Sequence, residues 1–160
     1  MKLAPKVSVI SDAARQIEST IRRSARYLDE EQFAEWQRLF LPEAQYRIFA
    51  YSHELRKEMC WLDLGMGELA WRMNNADRFV RDRCEKTRFV DIVEIQVGEN
   101  EATTYSNVQI WTTDLEGQTS LYALVSYSDA LVERDNEWLI SNRAVRVRTR
   151  ILSAGSHIPV

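Results

Sequence analysis

A chain of 160 residues that is 45% hydrophobic, with five Trp, six Tyr and five Phe against five Gly and three Pro, can bury one substantial core and is neither disordered nor fibrous in composition. Its net charge of -3 and pI near 5.5 give no general attraction to nucleic acid or to an anionic membrane surface, so neither is expected as a partner. No run of about 18 apolar residues occurs, and residues 1–10, with Lys2, Pro5 and Lys6, lack the apolar centre of a secretory signal; a single cytoplasmic domain over residues 1–160 is the expectation.

The first predicted element is a helix over residues 12–27, which Ser11 or Asp12 can cap, with Ala14, Ile17, Ile21, Ala25 and Leu28 recurring at helical spacing. A second helix is predicted over residues 29–40, with Phe33, Trp36, Leu39 and Phe40 as its apolar stripe, Glu30, Glu31 and Glu35 near its positive end, and Pro42 as its stop. Tyr46, Ile48 and Phe49 mark a short strand over residues 44–51. Residues 54–77 read as an irregular, partly helical stretch in which Gly65 and Gly67 weaken the helical spacing of Met66, Leu69, Ala70 and Met73.

At Thr87 the apolar period changes from 3.6 to 2. Strands are predicted over residues 87–97, 102–114, 119–134 and 137–151, separated by turns at Gly98–Glu101, Glu116–Gln118 and Asp135–Asn136, with all neighbours antiparallel. Helices followed by a meander of long strands give an α+β layout in which a strongly curved sheet wraps the helices as a cone. Several strands carry apolar side chains on both faces: Phe89, Val93, Ile95 and Val97 oppose Val90 and Ile92, and Leu121, Ala123, Val125, Tyr127 and Leu131 oppose Tyr122, Leu124, Ala130 and Val132. A lone antiparallel sheet usually wets one face. One face is therefore expected to meet the helices and the other a second polypeptide.

The chemical inventory is narrow. His53 and His157 stand about a hundred residues apart, and Cys60 and Cys84 are isolated, so the spacing for a Rieske cluster or a two-histidine, one-carboxylate iron site is missing and the cysteines are expected to be reduced thiols. No GxGxxG, GxxxxGK[ST] or GxSxG motif occurs. Asp91 and Asp129 lie in strands among apolar neighbours, where burial would suit a general base, with Tyr46 as a further pocket candidate. The competing reading is structural ion pairing, with Arg146, Arg148 and Arg150 on the last strand as a row of partners. Asn107 and Ser126 fit either pocket lining or a subunit boundary, and Trp36, Trp61, Trp71, Trp111 and Trp138 fit core or interface anchors.

A family resemblance covers nearly the whole chain. It rests on Tyr27-Leu-Asp-Glu-Glu-Gln-Phe-Ala-Glu-Trp-Gln-Arg-Leu-Phe, Glu43-Ala-Gln-Tyr, Leu62-Asp63 leading to Leu69, Thr87-Arg88, Ser106-Asn107-Val108 and Trp138-Leu-Ile-Ser-Asn-Arg, in that order. In these the chain resembles the small (beta) subunits of bacterial aromatic-ring-hydroxylating Rieske oxygenases, within the wider nuclear-transport-factor-2-like (NTF2-like) superfamily, and is most similar to the branch that hydroxylates salicylate to gentisate. The resemblance implies an NTF2-like cone with a structural role and no catalytic, cofactor-binding or metal-binding residue of its own. It further implies a large (alpha) subunit carrying a Rieske [2Fe-2S] cluster and mononuclear Fe(II), an alpha3beta3 hexamer, and electrons from NADH through a reductase and ferredoxin. Phe89 departs from many relatives, which place a His after the Thr-Arg pair. The alternatives are a free-standing isomerase, cyclase or dehydratase using Asp91, Asp129 and Tyr46 in the cone, or a ligand-binding module without an enzyme partner.

Overall fold

A computed structural model of the chain describes residues 11–76, 84–149 and 159–160. Helix α1 (Asp12–Asp29) starts where Ser11 Oγ accepts the Ala14 N–H at 3.1 Å. It buries Ile17, Ile21, Ala25 and Leu28 along one face, each large aliphatic side chain contributing about 1.5–3 kcal/mol on leaving water. Past Asp29 the chain turns through Glu31, whose φ of 54° is left-handed, and the Gln32 N–H returns to the Tyr27 carbonyl at 2.7 Å.

That reversal shortens the expected second helix: α2 is only Phe33–Gln37. Residues from Phe40 onward belong to strand β1 (Phe40–Ser52), because the Ile140 N–H reaches the Leu39 carbonyl at 2.8 Å and Phe40 pairs with Ile140. Pro42 therefore ends no helix. It sits where the ladder is interrupted between Phe40 and Gln45, a place where a missing N–H costs nothing.

The stretch expected to be irregular holds strand β2 (Lys57–Gly65), antiparallel to β1, and helix α3 (Met66–Asn74), which buries Met66, Leu69 and Met73. β2 is an edge strand with only Leu64 buried, so it carries no alternating apolar signal. The meander follows as β3 (Glu85–Val97), β4 (Glu101–Thr113), β5 (Thr119–Arg134) and β6 (Glu137–Val147). Asp114 Oδ1 ties the β4–β5 turn by accepting from Glu116 and Gln118, and Gly117 takes φ +83° there. Asp135 and Asn136, both at positive φ, make the two-residue β5–β6 turn. The last strand ends at Val147 rather than residue 151, and residues 150–151 lie outside the described residues.

The six strands form one sheet in the order β2-β1-β6-β5-β4-β3. The three pairings among β3, β4, β5 and β6 are antiparallel, as expected of the meander, while β1 pairs antiparallel with β2 and parallel with β6, which makes the sheet mostly antiparallel. Turns between consecutive strands fix antiparallel pairing locally, whereas β1 meets β6 across the whole intervening chain, and nothing local sets that direction. Helices packed against a curled, mostly antiparallel sheet are the α+β fold expected. The core lies between the sheet's inner face and α1, α2 and α3.

Bulges rearrange the two faces. Between Ile92 and Glu94 the register slips by one residue, so Ile95 and Val97 pair with Thr104 and Ala102 and join Val90 and Ile92 on the inner side, leaving Phe89 opposite them. A second slip between Ile110 and Trp111 pairs Leu121 with Trp111 on the outer side, away from Ala123, Val125 and Tyr127. The outer face nonetheless carries exposed Phe89, Leu121 and Leu124, with Val93 exposed at the first bulge, so the expectation of a two-faced sheet stands with different residues. Among the described residues no helix is long and apolar enough to cross a membrane.

Candidate functional site

The inside of the cone concentrates the buried polar groups. Arg143 on β6 and Asp129 on β5 face each other there, both essentially inaccessible. The guanidinium grips the carboxylate with both arms, Nε to Oδ1 at 2.7 Å and Nη2 to Oδ2 at 2.9 Å, while Nη1 donates to Ser24 Oγ on α1 at 3.1 Å. Ser24 Oγ in turn donates to the Ile21 carbonyl at 2.7 Å. The guanidinium carbon lies 4.4 Å from the centre of the Tyr127 ring and 5.5 Å from that of Phe40. Burial acts to lower the Arg143 pKa, but Asp129 beside it outweighs that and the group is held above its ordinary value. The pair is closed on itself, and with both carboxylate oxygens engaged Asp129 has no lone arm to offer a substrate.

A second ion pair joins the end of α1 to β3. Arg88, buried on β3, donates Nη1 to Asp29 Oδ1 at the end of α1, and its own N–H reaches Asp29 Oδ2 at 2.8 Å. Its Nη2 donates to the Pro159 carbonyl at 2.8 Å. The tyrosine hydroxyls of Tyr46 (β1) and Tyr127 (β5) converge on the main-chain oxygen of Val160, at 2.9 and 3.0 Å. Val160 is itself buried. The cone is thus filled by its own ion pairs and by residues 159–160.

Burial pushes both phenols above their ordinary range. A phenol raised in the folded state adds stability that is whole below the unfolded value near pH 10 and declines as pH rises past it, by up to about 1.4 kcal/mol per pH unit for each tyrosine. Urea midpoints are therefore expected to hold level to about pH 10 and then fall. A Tyr46→Phe/Tyr127→Phe chain is expected to show a markedly shallower fall. Equal slopes would contradict the assignment.

The structure redistributes the other residues singled out by sequence. Asp91 is exposed on the outer face opposite Asn107 and has no place in the cone, so its expected partial burial is corrected: the bulge-free start of β3 points it outward, beside Phe89's side of the sheet. Asp129 pairs with Arg143 and not with the later arginines. Arg146 instead pairs with Glu58 across β1, Arg148 donates to the Tyr105 hydroxyl at 3.1 Å, and Arg150 lies outside the described residues. Asn107 and Ser126 face each other on the outer side. Hydrogen bonding from Ser126, then Arg148, holds the Tyr105 phenol below its ordinary value. Tyr46 is in the cone, as a donor to Val160.

Trp36 and Trp138 are core anchors, Trp61 and Trp71 are exposed, and Trp111 is half-buried on the outer face. His53 is exposed in the β1–β2 turn with its ring edge-on to Tyr51, and His157 lies outside the described residues. Neither Cys60, which is exposed, nor Cys84 forms a disulfide with a described residue. Among the described residues no group of three or more His, Cys, Asp or Glu could hold a metal ion.

Sequence reasoning missed Arg143, Arg88, Asp29 and Ser24. Hairpin arithmetic from the 135–136 turn, continued through the pairs Glu133–Trp138, Val132–Leu139 and Leu131–Ile140, would set Asp129 opposite Asn142. A bulge between Ala130 and Leu131 shifts the register by one and delivers Arg143 instead.

The family model described as SnoaL-like domain matches residues 10–144. The chain is 28% identical over 138 residues to the 2-aminobenzenesulfonate 2,3-dioxygenase subunit beta of Alcaligenes sp, covering 86% of this chain and 92% of that protein. It is 26% identical over 159 residues to the methanesulfonate monooxygenase hydroxylase subunit beta of Methylosulfonomonas methylovora, covering 93% and 88%. Among solved structures it superposes with a TM-score of 0.78 on a beta subunit assigned to an aromatic-ring-hydroxylating dioxygenase of Novosphingobium aromaticivorans, at 17% identity over 92% of this chain and 97% of that one.

Proposed function

The chain belongs to the SnoaL-like family, an NTF2-like α+β fold, and from that premise we propose that it is the small (beta) subunit of a multicomponent ring-hydroxylating oxygenase and has a structural, non-catalytic role. The observation that carries this reading is the closed cone. The acid a solitary enzyme of this fold would use, Asp129, is held by both arms of Arg143, and the Tyr46 hydroxyl is committed to Val160. The names of the two curated relatives, both oxygenase beta subunits, support it. The chemistry then belongs to a large alpha subunit that supplies a Rieske [2Fe-2S] cluster and mononuclear Fe(II), in an alpha3beta3 hexamer fed by NADH through a reductase and a ferredoxin. The substrate in this reading is an aromatic acid, salicylate or a close relative. A benzene ring bearing an anionic group beside an ortho polar substituent is shared by salicylate and the 2-aminobenzenesulfonate named for the Alcaligenes relative.

The test is light scattering on the chain alone and co-expressed with the large subunit of its own gene cluster. A defined hetero-oligomer that contains iron and, when the reductase and ferredoxin are added, consumes NADH with an aromatic acid, where this chain alone does neither, is the expected result. A metal-free self-oligomer that ignores the large subunit would overturn the reading. Replacing both Leu121 and Leu124 by Lys on the exposed outer face is expected to prevent co-elution of the two subunits while moving this chain's own stability by no more than about 0.5 kcal/mol per site. Undiminished assembly of that double variant would remove the outer face as the contact.

A further inference from the structure

We propose that the groove between α1, α2 and the β5–β6 turn docks an extended acidic segment of another protein, in which carboxylates alternate with apolar side chains. The groove encloses about 590 Å³, and the arginines of α1 divide by whether they line it. Arg22 and Arg26 do not, and each is held by a neighbour along the helix, Glu18 at 2.8 Å and Glu30 at 2.7 Å. Arg15 and Arg23 do, and both are exposed without an ion pair or a side-chain hydrogen bond among the described residues. Arg15 ends the first turn of α1, where the helix dipole opposes a cation, so the stability of the helix does not account for it. Arg38 at the end of α2 also lines the groove, with Nη1 already on Glu35 Oε1 at 2.8 Å. Glu137 is an exposed acid of the groove without an ion pair among the described residues, and it offsets the two free guanidiniums only in part. The groove is thus locally positive in a chain whose net charge is -3.

Shape selects an extended peptide over a small anion. Arg15, Ser19, Arg23 and Tyr27 recur at four-residue spacing and form one ridge of about 18 Å, at about 1.5 Å of helix per residue. The two free arginines lie about 12 Å apart along it, too far to share a single carboxylate. An extended chain rises about 3.3 Å per residue and repeats its side-chain direction at every second one, so carboxylates four residues apart reach both arginines. Leu39 and Leu139 line the strand side of the groove and offer the other face of the segment an apolar surface. Clustered arginines are a recurring means of reading acidic segments. The proposal goes beyond the subunit reading and does not rest on it, because the groove is built by the helices and the β5–β6 turn and not by the outer sheet face.

The experiment follows the fluorescence anisotropy of a labelled peptide of three Glu-Leu repeats with blocked ends, titrated with the full chain. Saturable binding is expected at low salt, weakening severalfold between about 20 and 200 mM salt as the exposed charges are screened. The same peptide with Gln in place of Glu is expected not to bind. Arg15→Gln/Arg23→Gln, at two exposed positions, is expected to keep the fold by circular dichroism and to lose about fivefold in affinity, whereas Glu137→Gln gains about twofold. Where the double variant does not fold, the two single arginine variants decide. Free glutamate is expected to displace the peptide only at concentrations far above the peptide's own dissociation constant. Absence of binding, equal binding of the Gln peptide, or undiminished affinity of the folded arginine variants overturns the proposal. Displacement by glutamate at the peptide's own dissociation constant also overturns it, by making the groove a site for a small anion.

Discussion

Asp129→Ala is expected to destabilise the chain by about 3–5 kcal/mol, enough to leave much of it unfolded at ordinary temperature, because the substitution leaves the Arg143 guanidinium buried without its counter-charge. The comparison that isolates the cause is a paired one. Replacing both partners with apolar residues of similar volume, Asp129→Leu with Arg143→Met, removes both charges together and is expected to recover most of the loss, since the desolvation cost of the pair largely offsets its attraction. Urea denaturation of the single and double variants reads this directly. A double variant no more stable than Asp129→Ala would mean that the pair contributes net stability of its own, or that the hydrogen bond to Ser24 and the packing over Tyr127 and Phe40 carry more than the charge balance does. If the chain is a beta subunit, turnover per assembled iron site is expected to be unchanged in whatever fraction folds, because both groups are spent on each other.

Trp36→Ala is expected to cost a similar amount, about 3–5 kcal/mol, by a different route. α2 has five residues, too few to hold a helix by its own hydrogen bonds, so its position depends on what Trp36 packs against. The indole is fully buried, with ring centres 4.4 Å from Phe40 and 5.9 Å from Tyr46. Truncation to Ala would open a cavity where α2, the start of β1 and the core of the cone meet. Trp36→Phe should lose far less. It keeps most of the apolar volume and also removes the indole Nε1, which is buried without a hydrogen-bond partner among the described residues. A melting series showing Ala and Phe equally damaging would place the importance of Trp36 in its N–H rather than in its bulk. Tyr46 also donates to Val160, so loosening Trp36 is expected to raise the exchange rate of amides on β1 before those at the centre of β5.

Much of the architecture was legible because it rests on local periodicity. The helical recurrence of Ile17, Ile21, Ala25 and Leu28, the turns at Gly117 and Asp135–Asn136 and the alternation of Ala123, Val125 and Tyr127 along β5 each report a property of a few adjacent residues, and each appears in the structure. β2 was illegible for the converse reason: an edge strand with one buried residue, Leu64, has no apolar face to announce it. The second helix was read too long because Leu39 and Phe40 satisfy a helical stripe as well as they satisfy the start of a strand, and only pairing with Ile140 decides between them.

The candidate site divides along the same line. That an acid inside the sheet would be bound in an ion pair was inferable from Asp129 and its apolar neighbours, since a charge in such surroundings needs a partner. Which arginine it meets was not, because a single bulge between Ala130 and Leu131 exchanges Asn142 for Arg143, and a slip of one residue changes every partner beyond it. A like slip after Ile92 moved Ile95 and Val97 to the inner face, and the long-range geometry alone set β1 parallel to β6 and brought Val160 under Tyr46 and Tyr127. The sequence by itself determined the α+β layout, the meander and the presence of apolar residues on both sides of the sheet, all of which follow from side-chain period and turn chemistry. Tertiary structure alone decided register, strand direction across the long crossover and the contents of the cone, because those depend on groups far apart in the chain competing for one enclosed volume.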